Sequence, residues 1–131
     1  MKRMFKMVGV ATLAVLMLSG CRMAQIYNVK DAPVIVKPAT SDRAIFNAIN
    51  RAGTSLGWDI SSVKDGEARG VLNIRDHQAV VSITYNDKSY NIKYVSSINL
   101  KAENGEIKSN YNGWVQNLER NINLQISELT Q

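Results

Sequence analysis

Residues 79–94 read AVVSITYNDKSYNIKY and predict two antiparallel β-strands joined by a turn. Because neighbouring side chains in a strand point to opposite faces, an apolar residue at every second position indicates one buried face and one exposed face. Asn86-Asp87-Lys88, in the middle, has the composition of a turn. The apolar positions are Ala79, Val81, Ile83 and Tyr85, then Tyr90, Ile92 and Tyr94. The predicted exposed face carries Arg75, Ser82, Thr84, Asn91 and Lys93.

Two further strands precede this hairpin. Trp58–Val63 is followed by Lys64-Asp65-Gly66, which has turn composition, and Val71–Arg75 ends at Asp76-His77. Short strands separated by turns at regular intervals favour an antiparallel sheet. Residues 58–94 therefore predict a four-stranded antiparallel meander. Asn104-Gly105 predicts one more tight turn or loop.

Amphipathic helices are predicted on both sides of the meander. The first runs over about 41–56, with Thr40, Ser41 or Asp42 as its cap and Gly57 as its stop. The second runs over about 110–129. In each, apolar residues recur at helical spacing on one face. They are Ile45, Ala48, Ile49, Ala52 and Leu56 in the first helix, and Tyr111, Val115, Leu118, Ile122, Ile126 and Leu129 in the second.

The order of these elements predicts an α+β fold. It is a two-layer sandwich of a four-stranded antiparallel meander with two helices on one face, in the order α-β-β-β-β-α. Both helices are expected on the face that carries Val81, Ile83, Ile92 and Tyr94. Residues 41–131 are predicted to form this single domain, and a chain of that length can build one core without disulfides.

The first residues are typical of a bacterial lipoprotein signal peptide. Lys2, Arg3 and Lys6 form a basic flank, and 7–18 is an apolar run too short to span a bilayer, which takes about 20 residues. The following Leu18-Ser19-Gly20-Cys21 resembles the lipobox of bacterial lipoproteins. The resemblance implies cleavage of the signal peptide 1–20 and lipidation of Cys21. Arg22, where an aspartate would signal inner-membrane retention, resembles the class sorted to the outer membrane.

Residues 21–40 are predicted to be a lipidated N-terminus and tether. Pro33 and Pro38 disfavour a continuous helix, and such a segment could reach about 60 Å when extended. Val34-Ile35-Val36 is apolar enough to dock as a short edge strand, which would order part of the tether.

Charge and cysteine content argue against nucleic-acid binding and against an intrachain disulfide. Cleavage before Cys21 removes three of the 16 basic residues and no acidic one, so the formal net charge falls from +5 to +2. No basic run interleaved with aromatic residues remains, which argues against nucleic-acid binding. Cys21 is the only cysteine, so no intrachain disulfide can form.

Candidate binding residues are aromatic or lie near the end of a strand. His77 is the only histidine and is interpreted as a turn residue; no metal site, cofactor or catalytic group is predicted. The aromatic residues either pack in the core or line a cleft between sheet and helices that takes an apolar or glycan-like ligand. The candidate ligand or partner contacts are Tyr85, Tyr94, Tyr111, Trp114, Arg75 and His77.

The pattern as a whole resembles a group of small uncharacterised lipoproteins of Gram-negative bacteria. The similarity covers about 41–125, and its most specific piece is YNxWVxNL at 111–118. The resemblance implies a compact periplasmic domain on an outer-membrane lipid anchor. We expect a non-enzymatic structural or protein-interaction module of the cell envelope, with a membrane and an envelope protein as partners. The alternative is a carrier or sensor of a small ligand.

Overall fold

The computed structural model describes residues 22–130. The predicted signal peptide 1–20 and the predicted lipidation site Cys21 lie outside the described residues. The elements, in chain order, are β1 Met23–Gln25, β2 Val29–Pro33, α1 Asp42–Ser55, β3 Trp58–Lys64, β4 Glu67–Ile74, β5 His77–Tyr85, β6 Ser89–Ile98, β7 Glu106–Lys108, α2 Asn110–Ser127 and a closing 3₁₀ turn, Glu128–Thr130.

The predicted meander forms the centre of a five-stranded antiparallel sheet with the strand order β2-β6-β5-β4-β3. The hairpin at 79–94 is confirmed, since Tyr85 pairs with Tyr90 and Ile83 pairs with Ile92. Both strands of this hairpin bury the predicted apolar face. The α+β class is therefore confirmed, with two helices and a mainly antiparallel sheet.

The predicted order of elements is wrong, because three short strands lie outside the meander. β1 and β2 precede α1, and β7 follows β6. β1 pairs with β7 in a separate two-stranded sheet, from Met23↔Lys108 to Gln25↔Glu106. These strands are too short to show a periodic pattern, and their partners are distant in the sequence.

The segment that the sequence assigns to a tether belongs to the folded domain. β2 pairs with the edge of β6, and Val29 and Val34 are both buried. The backbone N–H of Val34 donates to the carbonyl oxygen of Lys88 at 2.9 Å. The predicted edge strand at Val34-Ile35-Val36 is wrong in position: the strand that docks is Val29–Pro33, and Ile35 beyond it is 73% exposed. Pro33 ends the strand on the sheet edge, where a missing N–H is tolerated.

Both helices follow the sequence prediction closely. Ser41 caps α1, because its Oγ accepts the Ala44 backbone N–H at 3.1 Å, and Gly57 ends the segment with a φ of 90° that favours glycine. The apolar stripes face the sheet and join one core. The buried helix residues in that core are Ile45, Ala48, Ile49 and Ala52 in α1, and Tyr111, Val115, Leu118, Ile122 and Ile126 in α2.

Two glycines allow close packing in the core. A Cβ added to Gly53 would lie 2.5 Å from Cγ1 of Ile60, so this glycine is explained by the close approach of α1 to β3. A Cβ added to Gly70, on β4, would lie 3.1 Å from Cγ2 of Val81 on the neighbouring strand, so this glycine makes room for side chains within the sheet.

The helices cover one face of the five-stranded sheet, and the described elements leave the other face open to solvent. Arg69, Thr84 and Lys93 are exposed there, on β4, β5 and β6. Neither helix in the described part of the chain has the length and apolar composition required to cross a membrane.

Candidate functional site

The predicted aromatic cleft is filled by its own side chains. Tyr85 and Tyr111 are buried in the core, and the ring of Tyr111 meets that of Tyr94 edge-on, with 5.6 Å between centroids. Tyr85 packs beside Phe46 at 6.4 Å. These contacts are those of a packed interior. The residues therefore form part of the core and do not line a ligand-binding cleft between the sheet and the helices.

The six candidate contacts do not converge on one place. Tyr85 and His77 are the two ends of β5, which at about 3.3 Å per residue separates them by about 26 Å. Trp114 lies next to His77, with 6.1 Å between ring centroids, and Arg75 is in the adjacent turn. The candidates therefore lie in three places. His77, Trp114 and Arg75 are at one end of β5, Tyr85 is at its other end, and Tyr94 packs against Tyr111.

His77 stabilises the turn between β4 and β5. Its Nδ1 lies 2.9 Å from the carbonyl oxygen of Asn99; because a carbonyl can only accept, Nδ1 carries the proton. The side-chain amide of Asn99 donates back to the carbonyl oxygen of Asp76 at 2.8 Å. This double contact fixes a turn in which Arg75 has a φ of 55°. Among residues 22–130, no group of three His, Cys, Asp or Glu side chains could hold a metal ion.

The YNxWVxNL segment is explained by packing of α2 against the N-terminal strands. Asn112 accepts the backbone N–H of Tyr27 at 3.0 Å and donates to the carbonyl oxygen of Gln25 at 2.8 Å. The hydroxyl of Tyr27 donates to the Glu119 carboxylate at 2.7 Å, and this hydrogen bond is the main reason that the pKa of Tyr27 is raised. The segment therefore joins α2 to the connection between β1 and β2.

Two buried tyrosines differ in whether their hydroxyl has a partner. Tyr90 donates to Oδ1 of Asn123 at 2.7 Å, and the Glu119 carbonyl oxygen is a second acceptor at 3.3 Å. The Tyr111 hydroxyl is buried with no hydrogen-bond partner among the described residues. Burial raises the pKa of both side chains, so both stay protonated at neutral pH.

Replacing these two tyrosines by phenylalanine is expected to have different effects. Tyr90→Phe removes a made hydrogen bond and should lower the free energy of unfolding by about 1 kcal/mol. Tyr111→Phe removes a hydroxyl that loses its hydrogen bonds to water on folding and gains none in the protein. The free energy of unfolding should therefore stay level or rise. Urea denaturation followed by circular dichroism measures both. An equal loss in the two variants would mean that the Tyr111 hydroxyl has a partner, such as a buried water.

A groove on the open sheet face originates from a bulge in β2. The register shifts by one residue between Val29↔Ile92 and Ala32↔Tyr90. Within the bulge, Asp31 has a φ of 51°, which aspartate tolerates better than most residues. Its backbone N–H donates to Oδ1 of Asn91 at 2.9 Å. β-bulges commonly re-aim side chains near binding sites.

The bulge opens a polar surface that we call the β2–β6 groove. One part has a volume of about 470 Å³ and the next about 570 Å³, and the two share Asn28 and Lys93. Asn91 also donates to Oγ1 of Thr84 at 3.2 Å, and Asn28 accepts the backbone N–H of Tyr94 at 2.9 Å. The groove is defined by Asn28, Asp31, Thr84, Asn91, Lys93 and Tyr94.

The sequence pattern indicated four of the six groove residues. Thr84, Asn91 and Lys93 are on the predicted exposed face, and Tyr94 was a candidate contact. Asn28 and Asp31 were missed because they fall in the segment interpreted as a tether. The bulge directs Asn28 and Asp31 toward the groove. Its only signal in the sequence is Asp31, a residue type that tolerates a positive φ.

Comparison with known proteins adds no family to this description. No family model matches the chain, and no curated protein and no solved structure matches it. The similarity to small Gram-negative lipoproteins therefore stays a prediction from sequence. What the chain binds has to follow from the chemistry of its own surfaces.

Proposed function

We propose that this chain is an outer-membrane-anchored periplasmic lipoprotein that binds another envelope protein and is not an enzyme. The anchor is Cys21, supported by the basic flank, the short apolar run and the lipobox-like residues 18–21. Two or more acyl chains hold a protein on a membrane stably, whereas one does not. Arg22, in place of aspartate, supports the outer membrane as its location.

The observation that carries the binding role is the β2–β6 groove on an uncovered sheet face. The side-chain amide of Asn91 is fixed in the groove, because its Oδ1 accepts the Asp31 backbone N–H and its Nδ2 donates to Oγ1 of Thr84. A packed core lies beneath the sheet that carries these groups. A rigid polar surface of this kind loses little conformational entropy when a polypeptide loop binds it. The groove therefore favours a protein partner with exposed polar groups.

A non-enzymatic role is supported by the state of the one histidine. Nδ1 of His77 donates a hydrogen bond to the carbonyl oxygen of Asn99, and Nε2 lies 3.5 Å from a carboxylate oxygen of Asp76. A catalytic base would instead need a nucleophile within hydrogen-bond reach and a cleft for the substrate. The contacts of His77 are those of a residue that holds a turn.

Site-specific photo-cross-linking in intact cells tests this proposal. A photoreactive phenylalanine replacing Thr84 is expected to give a discrete protein adduct, because Thr84 is exposed in the groove. The matched control replaces Gln116, which is exposed on α2, away from the sheet face. Adducts of equal yield from both positions, or from neither, would contradict a partner in the groove.

A carrier or sensor of a small glycan-like ligand is the second candidate. It is favoured by the larger part of the groove, about 570 Å³ in volume, which is lined by the polar residues Gln25, Asn28 and Lys93. Amide and ammonium groups in a cavity of this size can hydrogen-bond to the hydroxyl groups of a sugar. Absence of a protein adduct at Thr84 would favour this candidate over the interaction module.

A further inference from the structure

We infer that one end of the domain lies on the membrane surface and binds anionic phospholipid headgroups, so that the anchor fixes the orientation of the protein as well as its location. This inference rests on the proposed lipidation of Cys21. It adds a binding surface and its ligand class, which the lipid anchor alone does not imply.

The first described residue after the proposed lipidation site is already bonded to the fold, so no long flexible linker follows that site. The backbone N–H of Ser109 donates to the carbonyl oxygen of Arg22 at 3.0 Å, and Met23 pairs with Lys108. Arg22 follows Cys21 directly in the sequence, so a single peptide unit of about 3.8 Å joins the proposed lipidation site to a residue that is bonded to the fold. A tether of about 60 Å would let the domain tumble. This attachment brings one surface of the domain to the bilayer.

The contacts around this attachment show which surface it is. The backbone N–H of Lys108 donates to the carbonyl oxygen of Leu100 at 2.9 Å, which places the exit of β6 beside Arg22. Asn99, the preceding residue, is bonded to both Asp76 and His77. The turn between β4 and β5 therefore lies at the same end. We call this surface the anchor end; its exposed apolar and basic residues are Arg22, Met23, Ile74, Arg75, Ile98 and Lys101, and the acidic Asp76 is exposed in the same turn as Arg75.

The composition of the anchor end suits a lipid surface. Three of its side chains are apolar and yet exposed: Ile98 by 54%, Met23 by 41% and Ile74 by 39%. The other three are cations, with Asp76 as the acidic residue in the adjoining turn. Apolar side chains enter the headgroup region, and each lysine or arginine near an anionic surface adds attraction. A protein partner could also bind such residues. We infer the bilayer instead, because a lipid attached next to Arg22 would hold these residues against the membrane surface.

The opposite end of the domain lies at the other end of β5, about 26 Å away. It contains the turns at 64–66 and 86–88, in each of which an aspartate stands beside a lysine. In the proposed orientation the strands rise from the membrane. Asn91, seven residues before Ile98 on β6, would lie about 20 Å above the surface. The β2–β6 groove would then face a partner in the periplasm.

Fluorescence quenching on vesicles tests the orientation. The full acylated chain carries a bimane label at one of two exposed positions, through Asn110→Cys beside the anchor end or Asp87→Cys at the opposite end. Vesicles contain phosphatidylcholine, alone or with phosphatidylglycerol, and a nitroxide on the headgroups. Quenching is expected to be severalfold stronger at position 110 than at 87, and to increase with phosphatidylglycerol.

Charge variants separate the headgroup contact from the anchor. Arg75→Glu with Lys101→Glu should reduce the phosphatidylglycerol-dependent part of the quenching at position 110 at least about fivefold. The matched control, Lys64→Glu with Lys88→Glu at the opposite end, should leave it unchanged. Equal quenching at 110 and 87, in protein that floats with the vesicles, would overturn the orientation and leave the anchor intact. A chain that carries no lipid and does not float would overturn the proposed function instead.

Discussion

A chain that begins at Thr40 is expected to lose most of its folding free energy, although it keeps the whole region that the sequence assigns to the domain. The deletion removes β1 and β2 and with them Val29 and Val34. Burial of a valine contributes roughly 1.5–3 kcal/mol, so these two side chains alone represent a large part of the 5–15 kcal/mol typical of small domains. It also leaves the N–H of Tyr94 without the Asn28 side chain.

Urea denaturation, followed by tryptophan fluorescence and circular dichroism, measures this loss. The control is the chain that begins at Arg22, which should unfold cooperatively. The shortened chain should show a broad transition or none. A cooperative transition of the shortened chain at a similar urea concentration would contradict the structure and restore the interpretation of 21–40 as a tether.

Cys21→Ser is expected to release the protein from the membrane entirely. Serine has no thiol to acylate, so the proposed lipid cannot be attached at position 21. The headgroup contacts of the anchor end are too few to hold the domain alone, since even a single acyl chain gives only marginal binding. The variant should lose palmitate labelling and leave the membrane fraction.

Labelling with radioactive palmitate and fractionation of cells measure both effects. Ser19→Ala is the matched control, because it keeps a small residue beside the cleavage position and should be labelled normally. Palmitate in the Cys21→Ser protein would show that lipid is attached elsewhere. A soluble wild-type protein would show that no anchor exists.

The parts of the fold that followed from sequence are those with a local periodic signal. Alternation in 79–94 predicted the central hairpin, because a strand that buries one face must alternate. The buried face of α1 was predicted in the same way, because a helix that buries one face has apolar residues at helical spacing. These residues are Ile45, Ala48, Ile49 and Ala52. Ser41 and Gly57 marked its two ends through capping chemistry that acts within a few residues.

The strands that sequence missed depend on distant partners. β1 and β7 have three residues each, and Met23 pairs with Lys108, which is 85 residues away in the sequence. Strands this short are not stable on their own and gain their free energy from pairing. The same limit applies to the candidate site: Thr84 and Lys93 followed from alternation, whereas Asn28 and Asp31 reach the groove through a bulge.

The amino-acid pattern by itself determined that this chain pairs a central antiparallel hairpin with two amphipathic helices, and it nominated Cys21 as the lipid attachment. Tertiary structure decided that Met23–Gln25 and Val29–Pro33 are strands of the fold and not parts of a tether, that the aromatic side chains fill the core, and that the open surface has a groove beside β2. Periodicity reports which face a residue lies on, because that depends on its neighbours in the chain. Which strand lies at an edge, and which end of the domain carries Arg22, depends on contacts between residues far apart in sequence.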